Sequence, residues 1–189
     1  MECGADVNAR LTGRAIVHSR LNPRGITPFF LAADTADVPY MKLLLELGAD
    51  PTVGNADNSP PLLPAAGLGT KAPGEEAGTE AEAMAAVELL LALGADINAV
   101  DKNGETVMHG AAYASWPKMA HLLVRHGADV NVWHRRNKHG WTPLVIAQGF
   151  RQGNFKPSVP TMNAIGEILL ANGITPPPPP PRTKKKWEP

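Results

Sequence analysis

A three-residue motif recurs through this chain at a spacing that limits what the chain can fold into. Gly-Ala-Asp begins at Gly94 and again at Gly127, 33 residues later. The same triplet begins at Gly4 and Gly48, and a degenerate copy begins at Gly173. Self-similarity at a fixed period of roughly 20–50 residues is typical of solenoids, in which each repeat buries its apolar face against its neighbours. The spacing therefore predicts a stack of similar units.

The segment before Gly127 indicates a turn followed by a first helix. It reads Asp101-x-x-Gly104-x-Thr106, with His109 three residues after the threonine. Thr106 is expected to cap the helix, its hydroxyl oxygen accepting a backbone N–H of the first turn. His109 is expected to reach back toward the cap, as glutamate does in a capping box.

A second helix is predicted directly after the first. Met119, Leu122 and Leu123 fall at i, i+3 and i+4 and form an apolar stripe for burial. Gly127 would end this helix, because glycine adopts the left-handed conformation after a helix without penalty.

The order of these features resembles the ankyrin repeat: a turn, a threonine–histidine box, paired alanines, a leucine run and Gly-Ala-Asp. The resemblance covers roughly residues 4–175 and implies a mainly α solenoid of β-hairpin/helix-turn-helix units. We expect an N-terminal partial repeat at 1–10 and about four full repeats at 22–54, 55–100, 101–133 and 137–175. These make one domain, 1–175, followed by a proline-rich basic tail at 176–189.

The other repeats depart from the pattern in specific ways. Phe30 occupies the place of the box histidine in the first full repeat, and prolines replace the box threonine in the second. The connections between paired helices are enlarged at residues 67–78 and 149–157. The residues expected to cap first helices or to end second helices are Thr27, Pro28, Thr106, His109, Thr142, Pro143, Gly48, Gly94 and Gly127.

The resemblance also implies an L-shaped stack whose hairpin tips and first helices form a concave recognition face. Carried over by position, the exposed recognition residues would be Pro23, Arg24, Ile26, Asp34, Thr35, Lys102, Asn103, Glu105, Tyr113, Ala114, Lys138, His139 and Trp141.

The two enlarged loops emerge on the same edge of the stack and suggest a second partner site there. Aromatic residues with arginine are what binding hot spots contain, and long loops in compact domains are commonly functional. The candidates are Trp116, Phe150, Arg151 and Phe155. The alternative is that the loops pack on each other, with Phe150 and Phe155 covering Trp116.

Composition restricts the remaining functions. Eighteen basic and 18 acidic residues give no net charge, which makes nucleic-acid binding by the whole chain unlikely. The single cysteine cannot form an internal disulfide, and the histidines lack ligand spacing, so no metal or cofactor is expected. The sequence contains no apolar run long enough for a membrane helix, and no signal peptide.

The sequence therefore predicts a monomeric, non-catalytic module that binds another protein, cytoplasmic by default. Its Gly-Ala-Asp-Val-Asn motif looks like that of bacterial ankyrin arrays. Two alternatives stay open. In the first, the chain is the targeting or regulatory segment of a larger enzyme or toxin. In the second, it is a nucleic-acid tether that acts through Lys184, Lys185 and Lys186 beyond the proline run at 176–181.

Overall fold

Four pairs of helices follow one another along the chain in a computed structural model, which describes residues 4–12, 19–74, 78–151, 156–178 and 180. In chain order the helices are α1 (Pro28–Asp34), α2 (Val38–Glu46), α3 (Leu62–Ala65), α4 (Glu80–Ala92), α5 (Val107–Ala114), α6 (Pro117–Arg125), α7 (Val130–Trp133), α8 (Pro143–Ala147) and α9 (Val159–Ala171). The pairs are α1 with α2, α3 with α4, α5 with α6, and α8 with α9.

The pairs stack into two layers. The first helices contact one another in the order α1, α3, α5, α8, and the second helices in the order α2, α4, α6, α9. One apolar core runs between the layers through every pair. The predicted fold class, a mainly α solenoid of ankyrin repeats, is confirmed, and the residues that the structure describes contain no β-strand.

Local sequence explains where most helices begin. Thr27 caps α1 by accepting the N–H of Phe30, and Thr142 caps α8 by accepting the N–H of Val145. Thr79 and Glu82 form a reciprocal capping box at the start of α4.

The second helices of three repeats end in the same way, at a glycine. Gly48, Gly94 and Gly127 each follow such a helix with φ near 90° (89°, 89° and 92°), which a side chain would strongly disfavour. The predicted apolar stripes are buried as well: Met119, Leu122 and Leu123 in α6 are at most 2% exposed.

Thr106 does not cap α5 in the way the sequence predicts. Its side chain accepts no backbone N–H of the helix, and its hydroxyl lies 2.9 Å from Nδ1 of His109 instead. The prediction for Thr106 is wrong because a local partner with a ring nitrogen competes for the same hydroxyl. His109 reaches back toward the cap as expected.

Burial changes the acid–base behaviour of His109. The side chain is fully enclosed, and desolvation lowers its pKa to about 4 because a charged ring could not be hydrated there. The backbones of Trp141 and Arg135 nearby act in the opposite direction. His109 is therefore a neutral ring in the core at neutral pH.

The turns before the second, third and fourth helix pairs are each organised by their first side chain. Oδ1 of Asn55 accepts the N–H groups of Asp57 and Ser59, at 3.0 Å each. Oδ1 of Asp101 likewise accepts the N–H groups two and four residues downstream, at 2.8 and 2.9 Å. Oδ1 of Asn137 does so at 2.9 and 3.1 Å. An Asn or Asp at this position therefore fixes the turn locally.

Successive turn tips are joined by one backbone hydrogen bond each. Ala56 N donates to Arg24 O at 2.8 Å, Lys102 N to Asp57 O at 2.9 Å, and Lys138 N to Asn103 O at 2.7 Å. We call this series the turn ladder. It replaces the regular strand pairing expected of hairpins, and it holds the four tips in one row.

A second type of link joins the far ends of two pairs of repeats. Asn98 donates from Nδ2 to Gly127 O at 3.3 Å and accepts the N–H of Asp129 at 2.8 Å. Asn8 makes the same two bonds to Gly48 O and Asp50 N, at 3.1 and 2.8 Å. The N-terminal fragment thus docks on the first full repeat as a repeat end would.

The connection between α6 and α8 is longer than the corresponding connections before α3 and α5, and it is partly helical. Its first part forms the short helix α7, and the side chain of Trp133 is 1% exposed. The apolar residues Val130 and Trp133 enter the core, so the extra length serves packing.

Asn98→Ala should lower the free energy of unfolding by about 1 kcal/mol, since it removes two hydrogen bonds between repeats. Asn131→Ala is the matched control, because Asn131 occupies the same repeat position but its side chain bonds only to Asp129 of its own turn. Urea denaturation measures both. Equal losses in the two variants would contradict a linking role for Asn98.

His109→Ala should cost about 1–3 kcal/mol at pH 7, because it removes a buried hydrogen-bonding ring. The folded pKa lies below that of a free histidine, so unfolding takes up a proton between about pH 6.5 and 4 and the contribution of His109 falls as the pH drops. The stability difference between wild type and variant should therefore shrink from pH 7 to pH 5. His126→Ala, which removes an exposed histidine, is the control variant.

Candidate partner-binding face

The concave side of the stack holds a cavity of about 180 Å³ beside the turn tips. Six of the predicted recognition residues line it, namely Asn103, Glu105, Tyr113, Lys138, His139 and Trp141. They come from the tips before α5 and α8 and from α5 itself, so the turn ladder and the first-helix layer together bring them to one place.

A segment before the first repeat makes the opposite wall. Arg20 donates its backbone N–H to Gly69 O at 2.8 Å, and Asn22 donates from Nδ2 to Asp57 Oδ1 at 3.0 Å. Residues 20–22 and 68–70 therefore close the cavity from the N-terminal side. This crossing could not be predicted, since nothing local in the sequence marks the contact of Arg20 with Gly69.

Glu105 lies at the base of the cavity and is 6% exposed. Its Oε1 accepts Nδ2–H of Asn137 at 2.9 Å and the hydroxyl of Tyr113 at 3.4 Å. Burial raises the pKa of Glu105 to about 7, and the negative charge of Asp101 adds to the effect, against the hydrogen bonds from Asn137 and Tyr113. The site therefore holds a carboxyl group that changes charge near neutral pH.

Two aromatic rings form the rim. His139 stacks on Trp141 with ring centroids 4.9 Å apart and an angle of 27° between the planes. His139 is exposed and Trp141 half-buried. Desolvation and the charge of Lys138 lower the pKa of His139, so the stacked pair is predominantly neutral at pH 7.

The other charged groups of the cavity are engaged in fixing the tips. Asp101 accepts the hydroxyl of Ser59 at 2.8 Å in addition to its two turn amides. Asp57 accepts amide groups of Asn22 and Asn103 at 3.0 and 3.1 Å. Lys138 donates from Nζ to Asn103 Oδ1 at 3.0 Å. These contacts make the lining rigid before any partner arrives.

Three predicted recognition residues are buried, and the prediction that they are exposed is wrong. Ile26 is 3% exposed because it precedes the cap of α1 and enters the core. Ala114 is 3% exposed because it lies against Gly67. A Cβ added to Gly67 would come within 2.7 Å of the Cβ of Ala114. Glu105 is the third. Arg24, Lys102, Lys138 and His139 are exposed as expected.

The edge with the enlarged loops also differs from expectation. Arg151 is 7% exposed, and its Nη1 donates to the carbonyl oxygen of Tyr113, so it braces the concave face and offers no charge to a partner. Phe150 is half-buried, and Phe155 lies outside the described residues. Whether Phe150 and Phe155 cover Trp116, and whether this edge binds a partner, stays a prediction.

Trp116 lines a second, smaller cavity of about 70 Å³ with Asp34 and residues 67–71. Burial raises the pKa of Asp34 to about 7, and a hydrogen bond with Ser19 opposes the shift. This cavity lies between the first two repeats, and Trp116 of the third repeat reaches it.

Within the described ranges, no three His, Cys, Asp or Glu side chains come close enough together to hold a metal ion. In the same part of the chain, every helix is too short or too polar to cross a membrane.

Family models agree with this architecture. A model of ankyrin repeats in three copies matches residues 78–156, and a model of the single ankyrin repeat matches residues 24–56. The chain belongs to the ankyrin repeat family. Ankyrin repeats are protein–protein interaction modules and are generally non-catalytic.

Similar ankyrin proteins are found in the mouse. The B-cell lymphoma 3 protein homolog is 31% identical over 131 residues, which is 69% of this chain and 26% of that protein. Ankyrin repeat and SOCS box protein 16 is 32% identical over 136 residues, or 71% of this chain and 28% of that protein. The 2-5A-dependent ribonuclease is 45% identical over 62 residues, 32% of this chain and 8% of that protein.

This ankyrin chain thus spans less than a third of the length of each of these relatives. The relatives described here are mammalian, so the bacterial source suggested by the sequence stays a prediction.

Proposed function

We propose that this ankyrin array binds a partner protein on its concave face, with the turn tips making first contact and the cavity above Glu105 receiving an anchoring side chain. The observation that carries the proposal is the gathering of Asn103, Tyr113, Lys138, His139 and Trp141 around one cavity. Tyrosine and tryptophan in well-packed pockets are what interface hot spots are made of.

Cavity size favours a protein partner over a free small molecule. Ligand pockets for drug-sized compounds measure roughly 300–1,000 Å³, whereas this one measures about 180 Å³. It suits one side chain, and the exposed tips on either side offer surface for the rest of a partner. Lys102 and His139 mark that surface.

A second candidate is a targeting or regulatory segment within a longer polypeptide. It is favoured by the short share, 26% and 8%, that the chain covers of the B-cell lymphoma 3 protein homolog and the 2-5A-dependent ribonuclease. In that case the concave face would hold another part of the same polypeptide. The tail beyond the proline run lies outside the described residues, so nucleic-acid tethering there stays a hypothesis.

The proposal is tested by placing a photo-crosslinking residue at position 102 or 139 in the full chain, in the source cells. Positions 88 and 125, exposed on the second-helix layer, are the controls. Crosslinking from the tips should give one dominant partner, and crosslinking from the control positions should not. Combining Lys102→Ala with His139→Ala should lower its capture about tenfold or more, as expected for hot-spot residues. Capture lost in Glu88→Ala and Arg125→Ala but retained in the tip variant would reject the concave face.

A further inference from the structure

The base of the cavity contains a carboxylate oxygen that no described residue satisfies. Oε1 of Glu105 receives both hydrogen bonds made to this side chain, from Asn137 and from Tyr113. Oε2 is buried and has no hydrogen-bond partner among the described residues. Buried polar atoms are nearly always paired, so an unpaired carboxylate oxygen in a cavity wall calls for an explanation.

Charge and ring chemistry around Glu105 indicate what would satisfy it. Asp57 and Asp101 line the same cavity, and Tyr113 and Trp141 contribute aromatic surface. Cations bind favourably over the faces of tyrosine and tryptophan, more so when water is excluded. A carboxylate beside such rings adds a charge-assisted hydrogen bond.

Among the described residues, no basic side chain of the cavity donates a hydrogen bond to Oε2, although the charge of Lys138 partly opposes the rise in the pKa of Glu105. Nζ of Lys138 donates to Asn103, and the guanidinium of Arg20 donates from Nη2 to Lys71 O at 3.1 Å. Neither of these two hydrogen bonds involves Oε2 of Glu105.

We propose that the cavity receives a positively charged Lys or Arg side chain from the partner protein, with Glu105 as its counter-ion and Tyr113 and Trp141 as its walls. This rests on the proposed function, because the side chain belongs to the protein bound on the concave face. The volume of about 180 Å³ accommodates one such side chain. The same chemistry serves an ammonium or a guanidinium group, and the experiment separates the two.

Binding of the cation should depend on pH. Burial raises the pKa of Glu105 to about 7, so its ionised fraction rises about tenfold between pH 6 and pH 8, and the cation binds the ionised form. The groups that face Glu105 are Asp101, Asp57, Lys138, His139, Tyr113 and Arg20. The pKa of Tyr113 is raised and that of His139 lowered, so the carboxyl group dominates the change in this window.

The test uses the full chain and three probes: Nα-acetyl-lysine N-methylamide, the arginine analogue, and the uncharged norleucine analogue. Binding is followed by NMR at the indole N–H of Trp141, identified with Trp141→Phe among the four tryptophans. A charged probe should shift this resonance saturably, and norleucine should not. Whichever of lysine and arginine binds more tightly identifies the preferred head group.

Glu105→Gln keeps the shape of the side chain and should weaken the charged probe at least about tenfold. Glu88→Gln removes the same charge from an exposed position on α4 and should change nothing. The wild type should bind about tenfold more tightly at pH 8 than at pH 6, His139→Gln should keep that dependence, and Glu105→Gln should lose it. The wild-type pH series decides the matter even if Glu105→Gln fails to fold.

Equal shifts by norleucine and lysine, or affinity independent of pH in the wild type, would overturn the cation site. If the tip variants abolish partner capture while the probes ignore Glu105, this inference falls and the proposed function stands. If the probes require Glu105 but capture does not need the tips, the cation site stands and the proposed function falls.

Discussion

The hydrogen bonds that join one turn tip to the next are the contacts on which the rest of the molecule depends. Each of the last three tips is fixed by its own Asn or Asp, as at Asp101, and donates one backbone N–H to the tip before it. Backbone groups at solvent-facing turns would otherwise bond to water and leave the tips free to move. Because the ladder fixes the tips, the side chains between them lie in defined positions along the concave face.

The cavity follows from this row of fixed tips and from one departure from regularity. Identical repeats would give an even surface, whereas here residues 20–22 cross toward Gly69 and close one end of the face. Arg151 reaches beneath the same region and bonds to Tyr113. The insertions in the chain thus shape the cavity from both sides. Glu105, buried at its base, costs stability that the surrounding repeats must offset.

Features governed by local sequence could be predicted and those governed by distant contacts could not. The stripe of Met119, Leu122 and Leu123 and the capping box at Thr79 follow from spacing alone, and both are present. The burial of Arg151 follows from a partner 38 residues away, so its charge and loop position indicated exposure wrongly. The prediction that Thr106 caps α5 was wrong for the opposite reason, because His109 lies close enough to compete for its hydroxyl.

Native-state hydrogen exchange tests the turn ladder most directly. The amides of Ala56, Lys102 and Lys138 belong to exposed residues, yet each donates to the preceding tip. The account predicts that all three exchange about as slowly as amides within α5 and α6, because they open only when neighbouring repeats separate. Exchange as fast as that of Val100, an exposed residue in the connection to the third tip, would show that the tips move independently and would contradict the account.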